Sequence, residues 1–85
     1  MYDYQSERPK IFTEEGAQLL LKIRDTAQSL LKVAGAFRAG HAIRDCTGNS
    51  QTMFAVLDYL VEQGEIKLVS KNTFGQDEIY TSARE

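Results

Sequence analysis

The chain is poor in the residues that build special chemistry. It has one cysteine, one histidine, one proline and no tryptophan in 85 residues. A single cysteine forms no internal disulfide, and Cys46 with the lone His41 is too few ligands for a zinc cage. No metal and no cofactor is therefore expected, and the compartment reads as reducing and cytoplasmic. No apolar run reaches the length of a membrane span, and Met1-Tyr2-Asp3-Tyr4 lacks the basic-then-apolar layout of a secretory signal. The reading is a soluble protein with no membrane partner. Also missing is a basic excess: ten lysines and arginines stand against twelve acids, a net charge of −2. Dedicated nucleic-acid binders usually carry an excess, because cations displace counterions from phosphates.

What remains is ordinary globular material, 42% hydrophobic and 26% charged, of one domain's length. Residues 1–12 are polar, hold the only proline, Pro9, and read as a flexible or loosely docked arm that Tyr2 and Tyr4 can pin. Residues 13–82 read as the domain and 83–85 as a tail.

Thr13 has the chemistry of an N-cap, with Glu14 and Glu15 suited to the positive helix end. Leu19, Leu20, Ile23, Ala27, Leu30, Leu31 and Ala34 then recur at helical spacing, and Gly35 stops the helix. Phe37-Arg38-Ala39 reads as a short extended piece. A compact second helix covers about Gly40 to Cys46 and is broken by Thr47-Gly48-Asn49. Asn49 caps a third helix, Ser50 to Gln63, with a buried stripe at Met53, Val56, Leu57 and Leu60, ended by Gly64. Residues 65–71 and 77–81 read as two strands joined by turn chemistry at Asn72-Thr73-Phe74-Gly75. Leu20, Ile23, Leu30, Leu57 and Leu60 are the expected core.

Two short helices joined by a glycine turn, a helix-ending glycine and a hairpin follow the winged helix-turn-helix order. The run Cys46-Thr47-Gly48-Asn49-Ser50-Gln51-Thr52-Met53, continued by Val56-Leu57-Asp58-Tyr59-Leu60-Val61-Glu62-Gln63-Gly64-Glu65-Ile66, resembles that superfamily's turn and recognition helix. The likeness spans about residues 37 to 81. It departs in a Gly48-to-Gly64 spacing about one residue short, and in Arg44 where small residues are frequent. The implied fold is α+β: a three-helix bundle with a two-stranded β-hairpin wing.

The implied function is double-stranded DNA binding by a small transcriptional regulator, acting as a homodimer, with the third helix in the major groove. Asn49, Ser50, Gln51, Thr52 and Ala55 would then read bases, since glutamine bonds adenine edges and alanine touches a thymine methyl. Arg38, His41, Arg44, Lys67, Lys71 and Asn72 would contact the backbone. Phe74, at the hairpin tip, wedges against a base, docks into a partner or folds back. The same residues have plainer readings, as a solvated helix face and scattered solubilising charges. Asp58 and Glu62, on the outward face, oppose phosphate binding, which leaves a protein-interaction module without DNA binding as the alternative. His41 and Asp45 are four apart on one helix, but no nucleophile motif accompanies them, so no enzyme is expected.

Overall fold

The computed structural model describes residues 3–69 and 78–83. The chain is a small α+β domain, mostly helical, with one three-stranded antiparallel sheet. The helices are α1 (Tyr4–Glu7), α2 (Glu14–Ala34), α3 (Ala39–Ile43) and α4 (Ser50–Glu62), with a 3-10 turn at Arg8–Phe12. The strands are β1 (Ala36–Arg38), β2 (Ile66–Leu68) and β3 (Ile79–Ser82), in spatial order β1-β3-β2.

The expected caps lie where the residue types place them. Thr13 accepts from the Gly16 amide, and Asn49 from the Gln51 amide. The core joins one stripe of α2 to most of α4 and the inner face of the sheet. Ile23, Val56 and Leu57 are 0% exposed, and Leu60 and Tyr80 are 1%. Leu20 and Leu30, expected inside, are only partly buried at its rim. Leu21 projects into solvent, as its place on the polar side of α2 requires.

Three expectations need correction. Residues 4–12 are not a loose arm: Asp3 caps α1 by accepting from the Gln5 amide, Pro9 sits in the first turn of the 3-10 segment, and Ile11 is 1% exposed. Proline's fixed φ and missing N–H suit a helical first turn. The second helix is shorter than expected, ending at Ile43. The sheet has three strands, because the extended piece at Ala36–Arg38 pairs with β3. Residues 70–77, including the expected hairpin turn, lie outside the described residues.

The register sorts the sheet's two faces. Phe37, Tyr80 and Leu68 stand opposite one another on the inner face, and the Phe37 and Tyr80 rings stack with centroids 5.4 Å apart. Alternation then puts Arg38, Ile79, Thr81 and Lys67 on the outer face.

Gly64, just beyond α4, has φ 76°, and a side chain there would meet no atom within 4 Å. The position is constrained by backbone conformation alone. Gly64→Val is expected to cost about 1–2 kcal/mol in urea denaturation, because a β-branched residue resists left-handed geometry. Gly64→Asn, better tolerated in that region, is expected to cost less. Equal losses for the two would refute this account.

Candidate nucleic-acid interface

The candidate reader is α4 and the turn before it. Asn49 spends its side-chain oxygen on the Gln51 amide, 2.8 Å away, and so works as a cap. Ser50 is exposed and Gln51 half-buried. Thr52 and Ala55 are 6% and 0% exposed. They face the interior, which corrects their assignment as base contacts.

The cause is the N-terminal segment, which covers the flank of α4 that carries Thr52, Ala55, Tyr59 and Glu62 at helical spacing. Phe12 meets the Tyr59 ring edge-on, with centroids 5.6 Å apart. The Arg8 guanidinium lies 5.4 Å from the Phe12 ring centroid and 5.5 Å from that of Tyr59. It also donates through Nε and Nη2 to the Glu62 carboxylate, the shorter bond being 2.7 Å. Tyr4 adds a hydroxyl donor to the same carboxylate. These hydrogen bonds, Arg8's foremost, hold the Glu62 carboxyl below its ordinary range. Nothing in the sequence pattern paired Arg8 with Glu62, since long-range ion pairs leave no periodicity. The only hint was Ile11-Phe12, two adjacent apolar residues in a polar stretch.

The outward stripe of α4 is accordingly Gln51, Phe54, Asp58 and Val61, with Glu62 beside it; it includes no lysine or arginine. Asp58 is half-buried. The Tyr80 hydroxyl is pushed above its ordinary range, by burial first and then by the negative charges of Glu78 and Asp58. The leading end of α4 borders an open cleft of about 730 Å³, lined by Lys10, Glu14, Glu15, Asn49 and Thr52 among others. A side chain at Gly48 would lie 3.2 Å from the Glu15 carboxylate, so that acid sits against the turn between α3 and α4.

The cations gather elsewhere. Arg38, His41, Arg44 and Lys67 are all exposed. Among the described residues none of them takes part in an ion pair, whereas Arg8, Lys10 and Arg24 each hold a glutamate. Arg38, His41 and Arg44 follow at three-residue intervals along the exposed side of α3, while Arg38 also shares the outer sheet face with Lys67. Lys71, Asn72 and Phe74 lie outside the described residues. The structure thus leaves Arg38, His41 and Arg44 exposed along the α3 segment, puts Arg38 and Lys67 on one sheet face, and leaves Ser50 and Gln51 at the tip of α4.

The remaining chemical candidates are plain. His41 and Asp45 are both exposed, with no ion pair between them among the described residues. Cys46 is half-buried, and burial pushes its thiol up despite the nearby Lys22. No group of three or more His, Cys, Asp or Glu that could hold a metal ion occurs among the described residues. Among the same residues no helix is long and apolar enough to cross a membrane. Comparison with protein-family models, with curated proteins and with solved structures gives no match for this chain.

Proposed function

We propose that this chain is a small winged-helix protein that binds double-stranded DNA. The observation that carries the reading is the set of exposed cations, Arg38, Arg44 and Lys67, with His41 between the two arginines, on the α3 segment and the outer sheet face next to a helix-turn-helix-like pair. The order of helices and strands, with α3 and α4 joined by a turn at Gly48, supports the winged-helix part by analogy. In that arrangement Ser50 and Gln51 lead α4 toward the major groove, and Arg38, Arg44 and Lys67 take phosphates. With Thr52 and Ala55 inside the core, few groups are left to read bases. The proposal is therefore DNA binding itself rather than a particular regulatory role.

A second reading has one observation in its favour. The outward stripe of α4 combines Val61, 36% exposed, with Asp58, and α4 itself has no lysine or arginine, although Arg8 holds the neighbouring Glu62. Such a face suits a basic protein partner better than a phosphate backbone.

Fluorescence anisotropy with a labelled mixed-sequence duplex separates the two. Three phosphate contacts give a log–log salt slope near −2.7, so affinity should fall about fortyfold between 50 and 200 mM salt. No binding at 50 mM salt would overturn the DNA reading and leave the protein-interaction module.

A further inference from the structure

The geometry points to a basic stripe running from α3 across the outer face of the sheet as the main DNA anchor, holding duplex DNA with little regard to sequence. This rests on the DNA-binding reading above and specifies how that site works.

Three observations carry it. The first is continuity. Arg38 ends β1 and is also the N-cap of α3, so it belongs to the outer sheet face and to the exposed side of the helix. From Arg38, Arg44 lies six residues along the α3 segment, about 9 Å at 1.5 Å per residue. Lys67 lies two strands across the sheet from Arg38 and one same-face row away, because Ala36, Thr81 and Lys67 form one cross-strand row and Arg38 pairs with Ile79 in the next. Strand spacing and rise make that step about 12 Å. With one phosphate per 3.4 Å along each strand, steps of this size meet about every third or fourth phosphate.

The second is charge segregation. Among the described residues of the three strands the outer face shows Ala36, Arg38, Lys67, Ile79 and Thr81, with no acid among them, and Glu65, just before β2, is held by Arg24. The acids crowd the other candidate face. Glu14 and Glu15 line the cleft at the leading end of α4, where Lys10 is already paired with Glu7, while Asp58 and Glu62, the latter held by Arg8, occupy its middle and far end. A duplex laid along α4 meets these carboxylates, and one laid along α3 and the sheet does not. Asp45, next to Arg44, is the acid nearest the stripe in sequence.

The third is the shortage of readers. Sequence is read by side chains that reach base edges. Thr52 and Ala55 are buried and Asn49 is engaged as a cap, so Gln51 and Ser50 alone remain on the described part of α4. Lysine and arginine on phosphates add affinity equally for every sequence.

The experiment measures the intact chain against two unrelated 20-base-pair duplexes over a salt series, with three variants and a polyglutamate competitor. The wild type should bind both duplexes within about threefold of each other. Arg38→Ala/Arg44→Ala should weaken both by at least tenfold and flatten the salt slope by about 1.8; Lys67→Ala should flatten it by about 0.9. Gln51→Ala should change the two affinities by the same factor and leave the salt slope at its wild-type value, because a neutral side chain releases no counterion. All these side chains are exposed or half-buried, and circular dichroism checks that each variant keeps the wild-type fold. A preference above a hundredfold for one duplex that Gln51→Ala abolishes would overturn the inference while leaving DNA binding intact. So would full affinity in Arg38→Ala/Arg44→Ala. Polyglutamate binding as tightly as duplex at equal charge would assign the stripe to an acidic protein instead. No duplex binding by the wild type at 50 mM salt would remove the DNA reading itself, and this inference with it.

Discussion

Gly16→Ala is expected to destabilise the domain by about 3 kcal/mol, although alanine is the better helix former. A Cβ at position 16 would lie 1.9 Å from the Lys10 carbonyl oxygen and 2.6 Å from the Ile11 Cα. Both are backbone atoms, so no side chain can swing aside. Either α2 shifts or the 3-10 turn lifts away, and lifting it exposes Ile11. Overpacking of this kind costs about 1–3 kcal/mol, and exposing a buried isoleucine about 1.5–3 kcal/mol. The opposing gain in helix propensity is about 1 kcal/mol. For a chain of this size each kcal/mol moves the melting temperature by about 4–8 °C. The expected drop is therefore about 12–24 °C by calorimetry, with faster proteolysis within residues 4–12. A raised melting temperature, as propensity alone requires, would show that the close approach does not exist.

Leu57→Ala is expected to cost about 2–5 kcal/mol. Leu57 is 0% exposed in the core stripe of α4 between Val56 and Leu60. Truncation removes buried methyl groups and leaves a cavity that close packing cannot fully collapse. A domain of this length has about 4–13 kcal/mol of total stability. The loss is thus a large share of it, and the urea midpoint should fall steeply with little change in slope. Leu21→Ala, on the exposed side of α2, is the control and should stay within about 0.5 kcal/mol. Similar losses in both variants would mean that α2 or α4 is rotated from the burial described.

The helices were legible because their signals are local. Thr13 and Asn49 announce their caps through side-chain chemistry, and the Met53, Val56, Leu57 and Leu60 stripe repeats with the helical period. The limits of that stripe were not legible. Ala55 and Thr52 are small or polar, so neither signals burial, and what buries them is a segment more than forty residues earlier. That segment was itself obscured, because Pro9 reads as a breaker until its place in a helical first turn is seen. The extended piece near Phe37 was legible but its pairing was not: Ala36–Arg38 is only three residues long, too short for an alternating pattern to show which strand it joins. The candidate interface divided the same way. Exposure of Arg38, Arg44 and Lys67 followed from their charge, but the place of Arg38 and Lys67 on one sheet face depended on β1 and β2 both pairing with β3.

The contact between Arg8 and Glu62 joins residues 54 apart in sequence, and this bears on the order in which the molecule can assemble. The segment that seals α4 precedes it in the chain by most of the domain, and β1 likewise waits for β3, the last strand. A chain synthesised only through α2 has no surface for Ile23 and Ala27 to pack on, and no α4 for Ile11 and Phe12 to close over. Each of these closures costs loop entropy before any burial compensates it. Local helix formation in α2 can come early, but persistent structure waits until α4 and β3 are both available. Its folding should therefore be slower than that of a three-helix bundle of equal length, whose contacts are mostly local.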